Sequence, residues 1–146
     1  MRFKFRYFPG EDRMQFNLAT DELQFACWLT RRQCLTWLSA LRGIGCRTSN
    51  PGKGKRAAGA KAPLEHAGTP VQELQKLTFR AGQDRVTGFF KPVEGENIRF
   101  SQGKNVADQI YPTLFSVAMR AGWDPEVALE RLDQAKKRPA ASYSLH

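Results

Sequence analysis

Apolar residues fall on every second position at the start of the chain. Phe3, Phe5 and Tyr7 alternate with Arg2, Lys4 and Arg6, the period of a strand with one face buried. Pro9-Gly10-Glu11-Asp12 supplies turn chemistry. A second alternating run places Met14, Phe16 and Leu18 on one face, and Ala19-Thr20-Asp21-Glu22 turns the chain again. A third run sets Leu23, Phe25, Cys27 and Leu29 on one side and Trp28 on the other. The period then changes. Thr30 and Gln33 have the spacing of a capping box, in which each side chain satisfies an orphan backbone N–H of a new helix. Cys34, Trp37, Leu38 and Leu41 share one face of that helix, and Gly43 is its expected C-terminal stop.

Residues 43–70 break the pattern. Glycines and prolines recur, and no acid precedes Leu64, while Arg47, Lys53, Lys55, Arg56 and Lys61 are basic. Such a stretch buries too little apolar surface to offset its ordering entropy, so it reads as a flexible basic loop or linker.

Strand signals resume over 71–122, with Leu77 and Phe79 in one strand and Val86, Phe89 and Phe90 in the next. Gly88 is read as a bulge in that second strand. Ile98 and Phe100 mark a third strand. A helix follows with Val106, Ile110, Leu114, Val117 and Met119 as its apolar positions and Gly122 as its stop. Pro112 removes a hydrogen bond inside it and is expected to kink or restart it. The two halves share short matches at their first turns and helix ends. These raise an internal βββα duplication as one reading, set against the reuse of turn residues in unrelated chains. Asp124 and Pro125 open a last helix over 123–138, with Asp133 and Lys137 at pairing distance. Residues 139–146 read as a loose tail. The first half spans 1–42, and the whole is an α+β fold: antiparallel sheets from consecutive hairpins, with helices packed on them.

Composition adds charge to this picture. The 146 residues carry 23 Lys and Arg against 14 Asp and Glu, a net charge of +9, which suits a polyanionic partner such as nucleic acid. The densest share lies in 43–70, with five basic residues and one acid. No apolar run approaches the ~20 residues of a membrane span, and the charged, aromatic start is unlike a signal peptide. A cytoplasmic protein with no membrane partner is therefore expected. Three irregularly spaced cysteines fit reduced thiols. Cys27 and Cys34 lie on apolar faces, whereas Cys46 is a loop residue whose thiol Arg47 would activate if it were exposed.

Familiar chemistry is missing. The only histidines, His66 and His146, fall in the loop and at the last position, away from any rigid element. No serine occupies a nucleophile elbow, and Asn50 to Lys55 departs from the phosphate-loop pattern. The cysteines and His66 lack the close ligand pairs of a zinc site. No catalytic residue, metal or cofactor is expected. The reading is a non-catalytic binding or adaptor protein that holds nucleic acid without sequence specificity. Arg47, Lys53, Lys55, Arg56 and Lys61 are its main candidate contacts, and Arg2, Lys4 and Arg6 on the first strand are further ones. The alternative is an accessory subunit whose partner is another protein. An enzyme with a site no motif reveals ranks third. Phe3, Phe5 and Tyr7 are read as core rather than as a base-stacking platform.

Overall fold

Each alternating run becomes a strand. The structure is a computed structural model that describes residues 1–47 and 69–137, the side chains of 136 and 137 excepted. Strands β1 (Arg2–Phe8), β2 (Arg13–Ala19) and β3 (Gln24–Leu29) form an antiparallel meander. Helix α1 (Arg31–Gly43) follows. Beyond the segment outside the described residues, the two-residue β4 (Val71–Gln72) pairs in parallel with β3, Ala26 opposite Val71. Strands β5 (Leu74–Ala81), β6 (Arg85–Pro92) and β7 (Ile98–Gly103) make a second, wholly antiparallel sheet in the order 5-6-7. Helices α2 (Lys104–Arg120) and α3 (Pro125–Lys137) complete the α+β fold.

The inner faces of both sheets meet around Trp37. Its ring lies 5.5 Å from Phe5, 5.0 Å from Phe16, 5.3 Å from Phe79 and 5.9 Å from Phe90, centroid to centroid. Ring pairs in this range contribute roughly 0.5–1.5 kcal/mol each beyond their area burial. The indole N–H would be costly to bury alone. It donates to Gln102 Oε1 at 2.9 Å, and Gln102 Nε2 donates to the Phe100 carbonyl at 3.2 Å. Phe3 and Phe5 are buried, as the alternation predicts.

The capping box at Thr30 and Gln33 forms with both its hydrogen bonds. Four other details depart from the pattern reading. Gly43 is not the left-handed stop of α1. It is the last helical residue, Ile44 is the C-cap, and Gly45 takes the left-handed turn at φ 102°. The Gly45 and Cys46 N–H groups then bond back to Arg42 and Leu41, a Schellman ending that buries Ile44 and Cys46 against the core. Helix α2 ends the same way at Gly122, φ 80°. The two glycines that play one part are thus Gly45 and Gly122, not Gly43 and Gly122, so the sequence match at the helix ends is out of step by two residues. The order strand-strand-strand-helix does occur twice, but the duplicated unit finds no support at that match.

Gly88 is not a bulge. It stays in register between Phe79 and Phe100, and a Cβ there would lie 2.8 Å from Phe90 Cε1 and 3.1 Å from Phe79 Cε1. The irregularity falls instead between Leu74 and Lys76. Helix α2 passes through Pro112 without restarting. Met119 is exposed while Ala118 is buried, because Ala107, Ile110, Tyr111, Leu114 and Ala118 fall on the face turned to the core. Asp133 meets Arg42 across the α1–α3 contact at 2.7 Å; the expected partner, Lys137, has no described side chain.

Candidate nucleic-acid interface

None of the described strands contains an Asp or Glu. They carry Arg2, Lys4, Arg6 and Arg13 in the first sheet and Lys76, Arg80, Arg85, Lys91 and Arg99 in the second. The acids sit in turns, connections and helices. Core-facing strand positions are apolar or, like Gln102, uncharged and hydrogen-bonded, so every cation is sent to the outer faces.

The outer face of β5–β7 concentrates this charge. In the pairing register Thr78, Phe89 and Arg99 lie side by side across the three strands, as do Arg80, Thr87 and Ser101, and Lys76 lies opposite Lys91. Val86, Gly88 and Phe90 point to the core, so Thr87, Phe89 and Lys91 must point away from it. Phe89 is half-buried at the centre of this face. The guanidinium carbons of Arg80 and Arg99 lie 5.8 and 6.0 Å from its ring centre, at the outer limit of a cation–π contact. Arg85 donates to Ser101 Oγ at 2.8 Å. Lys76, Arg80, Lys91 and Arg99 form no ion pair with any described residue. A cleft of about 340 Å³ opens beside Phe89, lined also by Phe90 and Ile98 and by the polar Lys76, Thr78, Lys91, Asn97 and Arg99.

The first sheet offers less free charge. Arg2, Lys4 and Arg6 are exposed on β1, with Arg6 over the Phe8 ring at 4.9 Å. Arg13 stacks on Trp28 at 4.3 Å but is neutralised by Glu11 and Glu73. Phe3 and Phe5 face the core and cannot stack a base. Of the expected loop contacts, Arg47 is held at the end of α1, where its Nη1 donates to the carbonyls of Arg42 and Cys46 at 2.9 and 2.7 Å. Lys53, Lys55, Arg56 and Lys61 lie outside the described residues.

Cys46 is no exposed, activated thiol. Its side chain is buried with Sγ 3.5 Å from Asp108 Oδ1. Burial and the Asp108 carboxylate push its pKa up to about 11, against the weaker opposing pull of Lys104 and Arg47. Cys27 and Cys34 are core thiols raised by burial. Among the described residues no group of His, Cys, Asp and Glu is placed to hold a metal ion, and no helix is long and apolar enough to cross a membrane.

The β5–β7 face is missing from the pattern reading because Val86, Phe89 and Phe90 there mark a strand without being assigned to its two faces. Strict alternation separates Phe89 from Val86 and Phe90, since neighbours in a strand point to opposite faces. The signal was present: Lys76, Thr78 and Arg80, then Thr87, Phe89 and Lys91, then Arg99 and Ser101 occupy every second position of three strands. No protein-family model, curated protein or solved structure matches the chain.

Proposed function

We propose that this chain is a non-catalytic nucleic-acid-binding protein, acting in the cytoplasm, that grips the phosphate backbone with the outer face of β5–β7. The observation that carries this reading is the acid-free sheet face with five cations, Lys76, Arg80, Arg85, Lys91 and Arg99, unneutralised by any described acid. Phosphates attract such a face strongly and release their counterions on binding, whereas a folded protein partner would need matching acids. Flexible lysines and arginines seldom hold the geometry needed to read base edges, so the binding tolerates sequence. Arg2, Lys4 and Arg6, together with Arg47, Lys53, Lys55, Arg56 and Lys61, extend the positive field as supplementary contacts.

The test is fluorescence anisotropy with a labelled oligonucleotide across a salt series. Changing Lys76, Arg80, Lys91 and Arg99 together to Gln is expected to weaken binding. It also flattens the slope of log affinity against log salt by about 0.7–0.9 for each phosphate contact removed. Neutralising the 43–70 cations produces a smaller change. Absence of binding by the wild type at low salt would defeat the proposal and leave the accessory-subunit reading in its place.

A further inference from the structure

Resting on the nucleic-acid reading, we infer that the cleft beside Phe89 takes one unpaired nucleotide, its base stacked on the Phe89 ring and its phosphate held by Lys76 and Lys91. Phe89 is the one aromatic among the outward positions of β5–β7, and it sits on the middle strand, where neighbours on both sides hold its ring in place. Phe89 is half-buried, with part of its side chain reaching solvent. The guanidinium carbons of Arg80 and Arg99 lie over that ring at 5.8 and 6.0 Å, loose contacts that an entering base displaces, leaving both planar cations at its edge.

The dimensions agree. The cleft of about 340 Å³ lies at the small end of the ~300–1,000 Å³ usual for pockets that hold small organic groups. Its rim combines ammonium groups for a phosphate with the Asn97 amide and the Thr78 hydroxyl for a base edge or sugar. The positive field stops at the sheet ends, since Asp84 lies in the β5–β6 turn and Glu94 and Glu96 lie in the β6–β7 turn.

A duplex fits this face poorly. The major groove of B-form DNA admits a helix or a two-stranded ribbon, and a three-stranded sheet presenting its broad face cannot enter it. In a duplex the base faces are also occupied by one another. A single strand has free base faces and can lay successive phosphates along the cations, so the site selects single strands by stacking and by shape.

Three probes of about twelve nucleotides, within the ~4–16 nucleotide range of stacking platforms, separate the terms. They are oligothymidylate, an abasic strand of equal length, and a duplex. The folded wild type is expected to bind oligothymidylate more tightly than either of the others. Phe89→Leu keeps apolar bulk without a π-face. It is expected to lower oligothymidylate affinity by roughly 5- to 150-fold, while abasic-strand affinity and the salt slope stay unchanged. Phe89→Trp retains the wild-type preference. Equal binding of oligothymidylate and abasic strand by the wild type would overturn the inference, as would an unaltered Leu variant or an equal loss in the Leu and Trp variants. All of these leave electrostatic binding standing. Failure of the wild type to bind any probe at low salt would instead overturn the functional reading itself.

Discussion

Asp12 holds a left-handed backbone, φ 52°, at the β1–β2 turn, and its carboxylate ties three parts of the chain together. Oδ1 accepts from the Tyr7 hydroxyl at 2.8 Å and from the Trp123 indole N–H at 2.9 Å, and Oδ2 lies 3.5 Å from Arg31. The Trp123 and Tyr7 hydrogen bonds, with Arg31 helping, hold its pKa below the ordinary carboxylate value. A group whose folded pKa is depressed stabilises the fold above its unfolded pKa, and that stabilisation is lost as pH falls through the folded value. Asp12→Asn preserves an acceptor oxygen and tolerates the backbone, so it isolates the charge. Its melting temperature is expected to fall below that of the wild type at neutral pH and to converge with it in acid, as followed by circular dichroism. Gly88 makes a second point at this scale. An added methyl would meet the rings of Phe90 and Phe79, both packed on Trp37. Gly88→Ala should therefore cost about 1–3 kcal/mol as overpacking, read from the urea midpoint. Period and polarity revealed that Phe79, Phe90 and Phe100 are apolar strand positions. They could not reveal that the Phe79 and Phe90 rings converge over one glycine, because that depends on the register between the two strands.

At the scale of elements, local signals were reliable where the physics is local. The strand alternation and the Thr30–Gln33 box need only neighbouring residues to act, and both appear as expected. The end of α1 was misplaced because two glycines stand two residues apart, and only the burial of Ile44 and Cys46 decides which one turns the chain. The two positions should therefore respond in opposite directions to the same change. Gly45 lies at φ 102°, so Gly45→Ala is expected to destabilise by roughly 1–2 kcal/mol. Gly43 is helical with nothing within 4 Å of an added Cβ, so Gly43→Ala should stabilise by up to about 1 kcal/mol. Thermal melts of the two variants check this, and destabilisation at both positions would contradict the observed helix end. The α1–α3 ion pair between Arg42 and Asp133 lay beyond sequence reasoning for a similar reason. It joins residues 91 apart, and nothing near either residue announces the other.

For the molecule as a whole, the distribution of charge follows from folding. Strands that bury one face must expose the other, and here every exposed charge on a strand is positive. Segment totals in the sequence pointed to the 43–70 stretch as the densest cation source. They could not show that β5–β7 spreads its cations over one open surface around Phe89, since those residues are separated along the chain by turns containing acids. The first sheet carries a different lesson. Among the described residues β1 is hydrogen-bonded to a strand on one side only, to β2, and a strand edge without a partner is a place where another chain can pair. Arg2, Lys4 and Arg6 line that strand, and two copies brought together there would set like charges against each other. Such repulsion is expected to oppose self-assembly whatever else these residues touch. Replacing all three with serine is expected to promote oligomers seen by light scattering. Concentrated salt should do the same to the unaltered chain by screening the repulsion.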